Sequence, residues 1–401
     1  MSHKLFSRSR DLQRLQAEGY EVEECKGYLL VGHVPYVTSK CEVAFGTLVS
    51  RLDLAGADTT TKPRDHVALW VGEYPCDSKG GRIEHLVNNP NMREEIRPGL
   101  VATHSFSSKP GEAGYEDYYQ KMTAYVRILE GHAHVIDPSV TAQTYRVVRL
   151  GEEESVFCYA DTASSRAGIS AITGKLEKGR VAIVGLGGTG SYVLDHVAKT
   201  PVTEVHLFDS DPFLQHNAFR CPGAPAVGDL DRKLSKVAWF AEVYSKMRRK
   251  IIPHPVLLTE GNVAELGSME FVFLCLDKGE HKRSIVNYLV QNKIPFIDTG
   301  MGLDVRNGTI GGLLRVTTCT PSQSDHLPVL ISYAEGQNNE YSQNIQVSDM
   351  NALNAALAII KWKKLWGFYA DSEKEYNTVY GIETNVVTND GATQKADRVQ
   401  S

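Results

Sequence analysis

The chain has few cysteines: seven in 401 residues, and no two of them stand in a C-x-x-C pair. Scattered and odd in number, they predict reduced thiols, and they exclude a disulfide framework and a paired-thiolate zinc site. Long apolar runs are also missing, for none reaches the roughly 18 residues that a membrane helix needs. Residues 1–10 (MSHKLFSRSR) lack the apolar centre of a signal peptide, so a cytoplasmic protein is expected. Positive charge is not in excess: 43 Lys and Arg stand against 48 Asp and Glu, a net charge of −5. With no basic run or interleaved aromatic patch, nucleic acid is excluded as the main ligand. Internal repeats are absent, and the one biased segment is a polar tail over 391–401. The length predicts two domains, placed here at 1–155 and 156–390.

The most informative stretch that is present is VAIVGLGGTGS, Val181 to Ser191. An apolar, β-rich run ends in Gly185, Gly187, Gly188 and Gly190 and passes through Ser191 into a helix-like segment. A nucleotide phosphate site requires this order. One glycine permits the strand-to-helix turn, the next lets backbone approach phosphate, and the third lets helix pack on strand. Free N–H groups and the positive end of the helix dipole then face the anion.

Residues 204–208 (EVHLF) read as the next strand and end in Asp209 and Asp211, about twenty positions past the first glycines, where a ribose hydroxyl is held. Asn217, Arg220 and Lys236 follow, and a buried strand over 271–276 ends at Asp277. A hydride-transfer enzyme has no use for an Arg, a Lys and a strand-end Asp around the phosphates. An enzyme that breaks the α–β phosphate bond of ATP does, because cations stabilise growing phosphate charge and a carboxylate can hold Mg²⁺. Asp277 also suits the N-cap of a helix starting near Lys278.

The pattern GxGGxGS, D-x-D, N-x-x-R, a Lys and a later strand-end Asp resembles the ThiF/MoeB/HesA adenylating enzymes, which include the adenylation domains of ubiquitin-activating enzymes. The resemblance covers roughly 165–390 and implies a doubly wound, Rossmann-like α/β adenylation domain that binds ATP and Mg²⁺. It implies that Asp209 holds the ribose, that Asn217, Arg220 and Lys236 hold the phosphates, and that Asp277 binds Mg²⁺. It further implies an arginine reaching the ATP site of a homodimer partner, for which Arg166 is the candidate. The implied substrate is the C-terminal glycine of a ubiquitin-like β-grasp protein, with a conjugating partner downstream. Two departures stand out: Cys221 occupies the place after the motif arginine where the family has Gln, and the family's zinc-binding C-x-x-C pairs are missing. The second departure weighs against sulfur transfer.

A thiolate is the natural acyl acceptor near neutral pH. Cys319, in RVTTCTPSQSDH, is the candidate, since its Cys-Thr pair resembles the thioester site of ubiquitin-activating enzymes and His326 lies seven residues on. Thr317, Thr318, Thr320 and Ser322 offer hydroxyls, Cys221 is a rival thiol, Cys275 reads as structural, and an acceptor on a partner is the remaining choice. Late in the chain, 348–369 reads as a helix capped by Ser348 or Asp349, with an apolar stripe of Met350, Leu353, Leu357 and Ile360 and its end at Gly367. That stripe suits the core or a dimer interface.

The first half mixes β-like runs (YLLVGHVPYV, HVALWVGEYP, YRVVRL) with a helix over 117–129, an α+β domain. It resembles an uncharacterised domain fused ahead of some bacterial ThiF-like proteins, and partner docking is its expected role. Its chemistry-bearing residues are His66, Cys76 and His104, with His132 and His134 read as an H-x-H pair on one face of a strand. A nucleotide-binding scaffold without turnover, and an adenylating enzyme acting on a tRNA base or small carboxylate, are the competing readings.

Overall fold

The computed structural model describes residues 5–390 apart from 7, 57, 148–154, 277–278, 332 and 334–344. Packing divides the chain into two units: Met1–Ser155 with Tyr159–Ala171, and Val156–Cys158 with Ile172–Ser401.

In the first unit, β1 (Glu21–Cys25), β2 (Tyr28–Val37), β3 (Val43–Arg51), β4 (Val67–Val71), β5 (Val87–Asn89) and β8 (His104–Ser107) form one antiparallel sheet in the order β1-β2-β3-β4-β8-β5. A separate hairpin joins β6 (Glu94–Arg97) to β7 (Leu100–Ala102). Helix α1 (Arg10–Ala17) buries Leu12 and Leu15, and its buried Asp11 accepts the Tyr118 N–H at 3.2 Å. Helix α2 (Tyr118–Ile136) begins where the Asp117 carboxylate accepts the Gln120 N–H at 2.7 Å, satisfying one orphan donor of its first turn. Tyr118, Met122, Tyr125, Val126 and Leu129 of this helix share a core with Trp70 and Phe106 of the sheet.

Two sequence expectations are corrected here. His132 and His134 lie in the last turns of α2, not in a strand. Residues two apart on a helix point about 200° apart, so the rings do not share a face. His134 instead hydrogen-bonds the Val140 carbonyl at 2.6 Å. The run over 145–150 is irregular at Tyr145, Arg146 and Val147, and its remainder lies outside the described residues. His66 bonds the Ser107 hydroxyl at 3.1 Å, while His104 is buried beside the Thr103 hydroxyl at 2.9 Å. Among the described residues no three His, Cys, Asp or Glu gather to hold a metal.

The second unit is built on an eight-stranded sheet, ordered β11-β10-β9-β12-β13-β14-β15-β16. Its strands are β9 (Arg180–Val184), β10 (Glu204–Phe208), β11 (Ile251–His254), β12 (Phe271–Leu274), β13 (Phe296–Arg306), β14 (Thr309–Cys319), β15 (Asn377–Gly381) and β16 (Val386–Asp390). The first five are parallel; from β13 onward each pairs antiparallel with the next. Chain order reverses direction across β9 and β12, and an α/β sheet binds ligand beyond the carboxyl ends of its strands at that point. The antiparallel extension goes beyond the doubly wound α/β expectation, and β13 is long enough at 11 residues to carry it.

Alternation of side chains explains the layers. Val181 and Ile183 of β9 point into a core with α4 (Gly188–Ala198), α6 (Lys236–Ser245) and α8 (Ser348–Leu365), whereas Ala182 and Val184 join the opposite core with α7 (Glu280–Gln291). Between α4 and α6 lies the short helix α5 (Gln215–Ala218). Each fully buried Val, Ile or Phe here contributes about 1.5–3 kcal/mol.

Helix α8 differs from its sequence reading by a rotation. Its buried face is Asn351, Asn354, Ala355, Ala358, Ile359 and Trp362, while Met350, Leu353 and Leu357 are half-buried and Ile360 is 42 % exposed. Asparagine side chains therefore occupy core positions that a hydrophobicity pattern assigns to leucine. Nor does a side chain cap the helix, because Val347 is the N-cap and the Ser348 hydroxyl is engaged by Tyr192. Gly367, at φ +74°, does end it.

Arg248 fixes the turn that delivers β10. Its guanidinium is fully buried with carbonyls as its hydrogen-bond partners, donating to Thr200 at 3.2 Å, to Arg249 at 3.1 Å and also to Val202. Burial without a carboxylate lowers its pKa to about 10. Replacing it with methionine orphans these acceptors, so Arg248→Met is expected to lower the unfolding free energy by about 2–4 kcal/mol. Urea denaturation measures it, and a loss below about 0.5 kcal/mol would show that the carbonyls find water instead.

Candidate functional site at the carboxyl end of the parallel strands

The turn from β9 to α4 depends on missing Cβ atoms. Gly185 has φ +87°, a conformation that favours glycine, and a Cβ there would stand 2.6 Å from the Cys275 carbonyl oxygen. A Cβ on Gly190 would stand 1.8 Å from the Gly185 carbonyl oxygen, so the helix lies on its own turn at a distance only glycine allows. A Cβ on Gly187 would meet nothing within 4 Å; this is the open face of the turn. Gly188 has a different reason: its missing Cβ leaves room for the side chain of Asn351. Ser191 is fully buried and donates its hydroxyl to the Gly188 carbonyl at 2.7 Å, which turns it inward, away from any ligand.

Asp209, at the end of β10, braces this turn. One carboxylate oxygen accepts the Leu186 N–H at 2.7 Å, and the other accepts the Asp211 N–H at 2.8 Å. The Lys236 ammonium lies 3.4 Å from Asp209 and 2.7 Å from Asp211. Side chains of Asp209 and Lys236 are 8 % exposed and that of Asp211 is 66 % exposed, so two buried charges neutralise each other while a third faces water. The backbone folds to permit this: Pro212 bridges Ser235, the Phe213 N–H bonds the Leu234 carbonyl at 2.7 Å, and the Ser235 hydroxyl caps α6 just before Lys236.

Asn217 and Arg220 lie within that closed excursion. The Asn217 side-chain oxygen accepts the Leu214 N–H at 2.8 Å and so caps α5. Among the described residues its buried Nδ2 has no hydrogen-bond partner, nor has the Nε of the half-buried Arg220. Unsatisfied cationic and amide donors in one loop are what a phosphate would satisfy. Asp277 lies outside the described residues. Arg166 ends the short helix α3 (Thr162–Arg166) and belongs to the first unit.

The structure shields Cys319 from solvent. It ends β14, is 3 % exposed and lies in the core with Phe296, Leu327 and Ile331; burial pushes its thiol up to about 12. Its Sγ faces the Thr320 carbonyl at 3.8 Å, and the His326 Nε2 is occupied by the Thr318 carbonyl at 2.8 Å. Cys221 is likewise buried, its thiol raised to about 11 by desolvation, and Cys275 is raised to about 12 for the same reason. Thr317 and Thr318 are buried, which leaves Thr320 and Ser322 as the accessible hydroxyls.

A charge cluster missed in the sequence stands beside this site. Asp298 of β13 is fully buried between Lys282 of α7 at 2.6 Å and Arg315 of β14 at 2.7 Å. Lys282 also reaches the Leu276 carbonyl at 3.3 Å, and the Thr299 hydroxyl donates to the Leu274 carbonyl at 3.2 Å. The group thus supports the end of β12. An acid inside an apolar strand, FID at 296–298, was the available signal.

A doubly wound sheet with a glycine turn braced by a strand-end aspartate defines a nucleotide-binding α/β domain. Residues 163–359 match the ThiF family model, so this part of the chain is a ThiF family domain. Residues 10–162 match a second family model, described as a domain of unknown function, DUF6791. Similar solved structures include E. coli MccB with ATP, 16 % identical over 57 % of this chain and 69 % of that one, TM-score 0.44. E. coli MccB with AMPCPP and MccA is 16 % identical over 58 % and 71 %, TM-score 0.46, and PaaA is 13 % identical over 55 % and 75 %, TM-score 0.42. No curated protein matches the chain.

Two outcomes are expected. Gly190→Ala must push α4 off β9 and should cost about 3 kcal/mol or more, whereas Gly187→Ala should cost under about 1 kcal/mol. Thermal denaturation of both variants decides, and equal stability would refute this account of the turn. Under native conditions at neutral pH, iodoacetamide should modify the exposed Cys41 while Cys319 and Cys221 stay unmodified until unfolding, read by peptide mass spectrometry. Prompt labelling of Cys319 would overturn the burial argument. Because the unfolded chain ionises first, these raised thiols also lose the folded state stability as pH rises from the ordinary thiol value toward about 12.

Proposed function

We propose that the chain is an ATP-dependent adenylating enzyme whose substrate is the C-terminal glycine carboxylate of a ubiquitin-like β-grasp protein. The observation that carries this reading is the gathering of Asp209, Asp211 and Lys236 at the braced glycine turn, with the unsatisfied donors of Asn217 and Arg220 in the loop between them. Phosphates at the start of α4 meet its free N–H groups and its dipole. Their charge competes with the exposed Asp211 for the Lys236 ammonium, while Asp209 keeps the turn in place. A substrate carboxylate oxygen attacks the α-phosphorus, the bond to the β-phosphate oxygen breaks, and pyrophosphate leaves with the electron pair. Arg220 and Lys236 stabilise the charge that grows on it.

Mg²⁺ fits a site of this kind through the nucleotide's own oxygens and one carboxylate, the role assigned to Asp277, and it would supply charge neutralisation there. The buried, protonated thiol of Cys319 favours an acyl acceptor on a conjugating partner, or the accessible hydroxyl of Thr320 or Ser322, over this cysteine. A homodimer, with Arg166 serving the partner's site, is favoured by the incompletely buried stripe of Met350, Leu353, Leu357 and Ile360. No helix among the described residues is long and apolar enough to cross a membrane.

ATP–pyrophosphate exchange tests the reading. Exchange should depend on an added β-grasp protein, and Arg220→Ala, Lys236→Ala or Asp277→Ala should each reduce it about 100-fold or more with the circular dichroism spectrum unchanged. Exchange driven by a small acid or tRNA alone would change the substrate class. Nucleotide binding without exchange would make the domain a scaffold.

A further inference from the structure

We infer that Asn351 of α8 is a positioning residue for the nucleotide, holding the first turn of α4 in register with the phosphates through Gly188 and Thr189. The identity of the ligand, ATP, rests on the adenylation reading; the assignment of the residue rests on geometry.

Asn351 is fully buried near the start of α8. Its carboxamide fills the space where a side chain on Gly188 would begin: a Cβ there would stand 2.0 Å from Nδ2, 2.3 Å from Cγ and 2.5 Å from Oδ1. The Thr189 hydroxyl donates to Oδ1 at 3.0 Å. Nδ2 is enclosed with no hydrogen-bond partner among the described residues, an uncompensated polar burial that an apolar residue of the same shape would avoid. A buried polar group kept at such a cost calls for a role other than stability.

Its surroundings supply one. Gly188 and Thr189 open α4, and N–H groups of a first turn have no intrahelical acceptor and face an incoming anion. Asn351 grips this turn from the side, so the turn cannot shift along its axis without moving α8. Helix α8 is itself pinned twice more. The Ser348 hydroxyl lies 2.5 Å from the Tyr192 hydroxyl, one turn further along α4. Asn354 Nδ2 donates to the Gly300 carbonyl of β13 at 3.1 Å, joining the nucleotide turn to the strand that carries Asp298. A displacement near 1 Å in a phosphate cradle costs on the order of 100-fold in rate. Asn351 acts through Thr189 and Gly188, since its carboxamide lies against Gly188 and its Oδ1 is held by the Thr189 hydroxyl.

The test uses the full chain and compares ATP with adenosine by calorimetry. Asn351→Ala and Thr189→Val should each weaken ATP about tenfold while adenosine binding stays roughly unchanged, and the double variant should be no worse than either single one. In exchange assays the loss should appear in KM for ATP more than in kcat. If Asn351→Ala fails to fold, Thr189→Val, which keeps the side chain's shape and removes only the hydroxyl, decides alone. Wild-type ATP affinity in the variants that fold, whatever their melting temperature, overturns the inference and leaves the adenylation reading standing. Wild-type protein that binds no ATP overturns both.

Discussion

The contact between Gly190 and the Gly185 carbonyl oxygen, too close for any Cβ, is the constraint on which the second unit is built. It holds α4 directly over the end of β9 and fixes where the helix begins. The Asp209 carboxylate then ties the turn to β10 through the Leu186 N–H, and Asn351 closes it from α8. Two elements distant in sequence, β10 and α8, thus converge on the segment from Gly185 to Gly190. The open face left at Gly187 is the consequence, and it is the part of the turn that a phosphate can approach.

Charge in this unit is buried in pairs and loops, and each burial has a positional result. Lys236 compensates Asp209, which lets a carboxylate sit 8 % exposed beside the glycine turn. Asp298 is compensated from both sides by Lys282 and Arg315, and Lys282 carries that restraint to the Leu276 carbonyl at the end of β12. Buried ion pairs contribute little net stability, since desolvation offsets their attraction. Their value here is geometric: both hold the ends of strands on either side of the point where chain order reverses.

Most of the parallel layer was legible in the chain. Runs such as VAIV and FVFL, apolar throughout, can only be strands buried on both faces, and the glycine spacing located the first turn. Residues 204–208 form the strand expected of them. Reading failed where a residue's environment is set by distant chain. His132 and His134 were assigned to a strand because H-x-H says nothing of the helix that Asp117 starts fifteen residues earlier. The stripe on α8 was placed one position away from its buried face because Asn351 and Asn354 look like surface residues until their partners in α4 and β13 are known. Cys319 looked reactive beside Thr320, yet β14 carries it into the core.

By itself the sequence determined the local conformations that chemistry forces: a glycine-only turn, apolar central strands, an aspartate at a strand's end and an arginine and lysine at fixed distances after it. Those follow from backbone sterics and from the cost of burying polar groups, which act within a few residues. Only the tertiary structure decided which donors remain unsatisfied, which thiols are shielded from ionisation and which helix closes on the nucleotide turn. Those properties belong to contacts between separate segments, 162 residues apart for Thr189 and Asn351, and solvent exclusion at such contacts has no signature in the chain order.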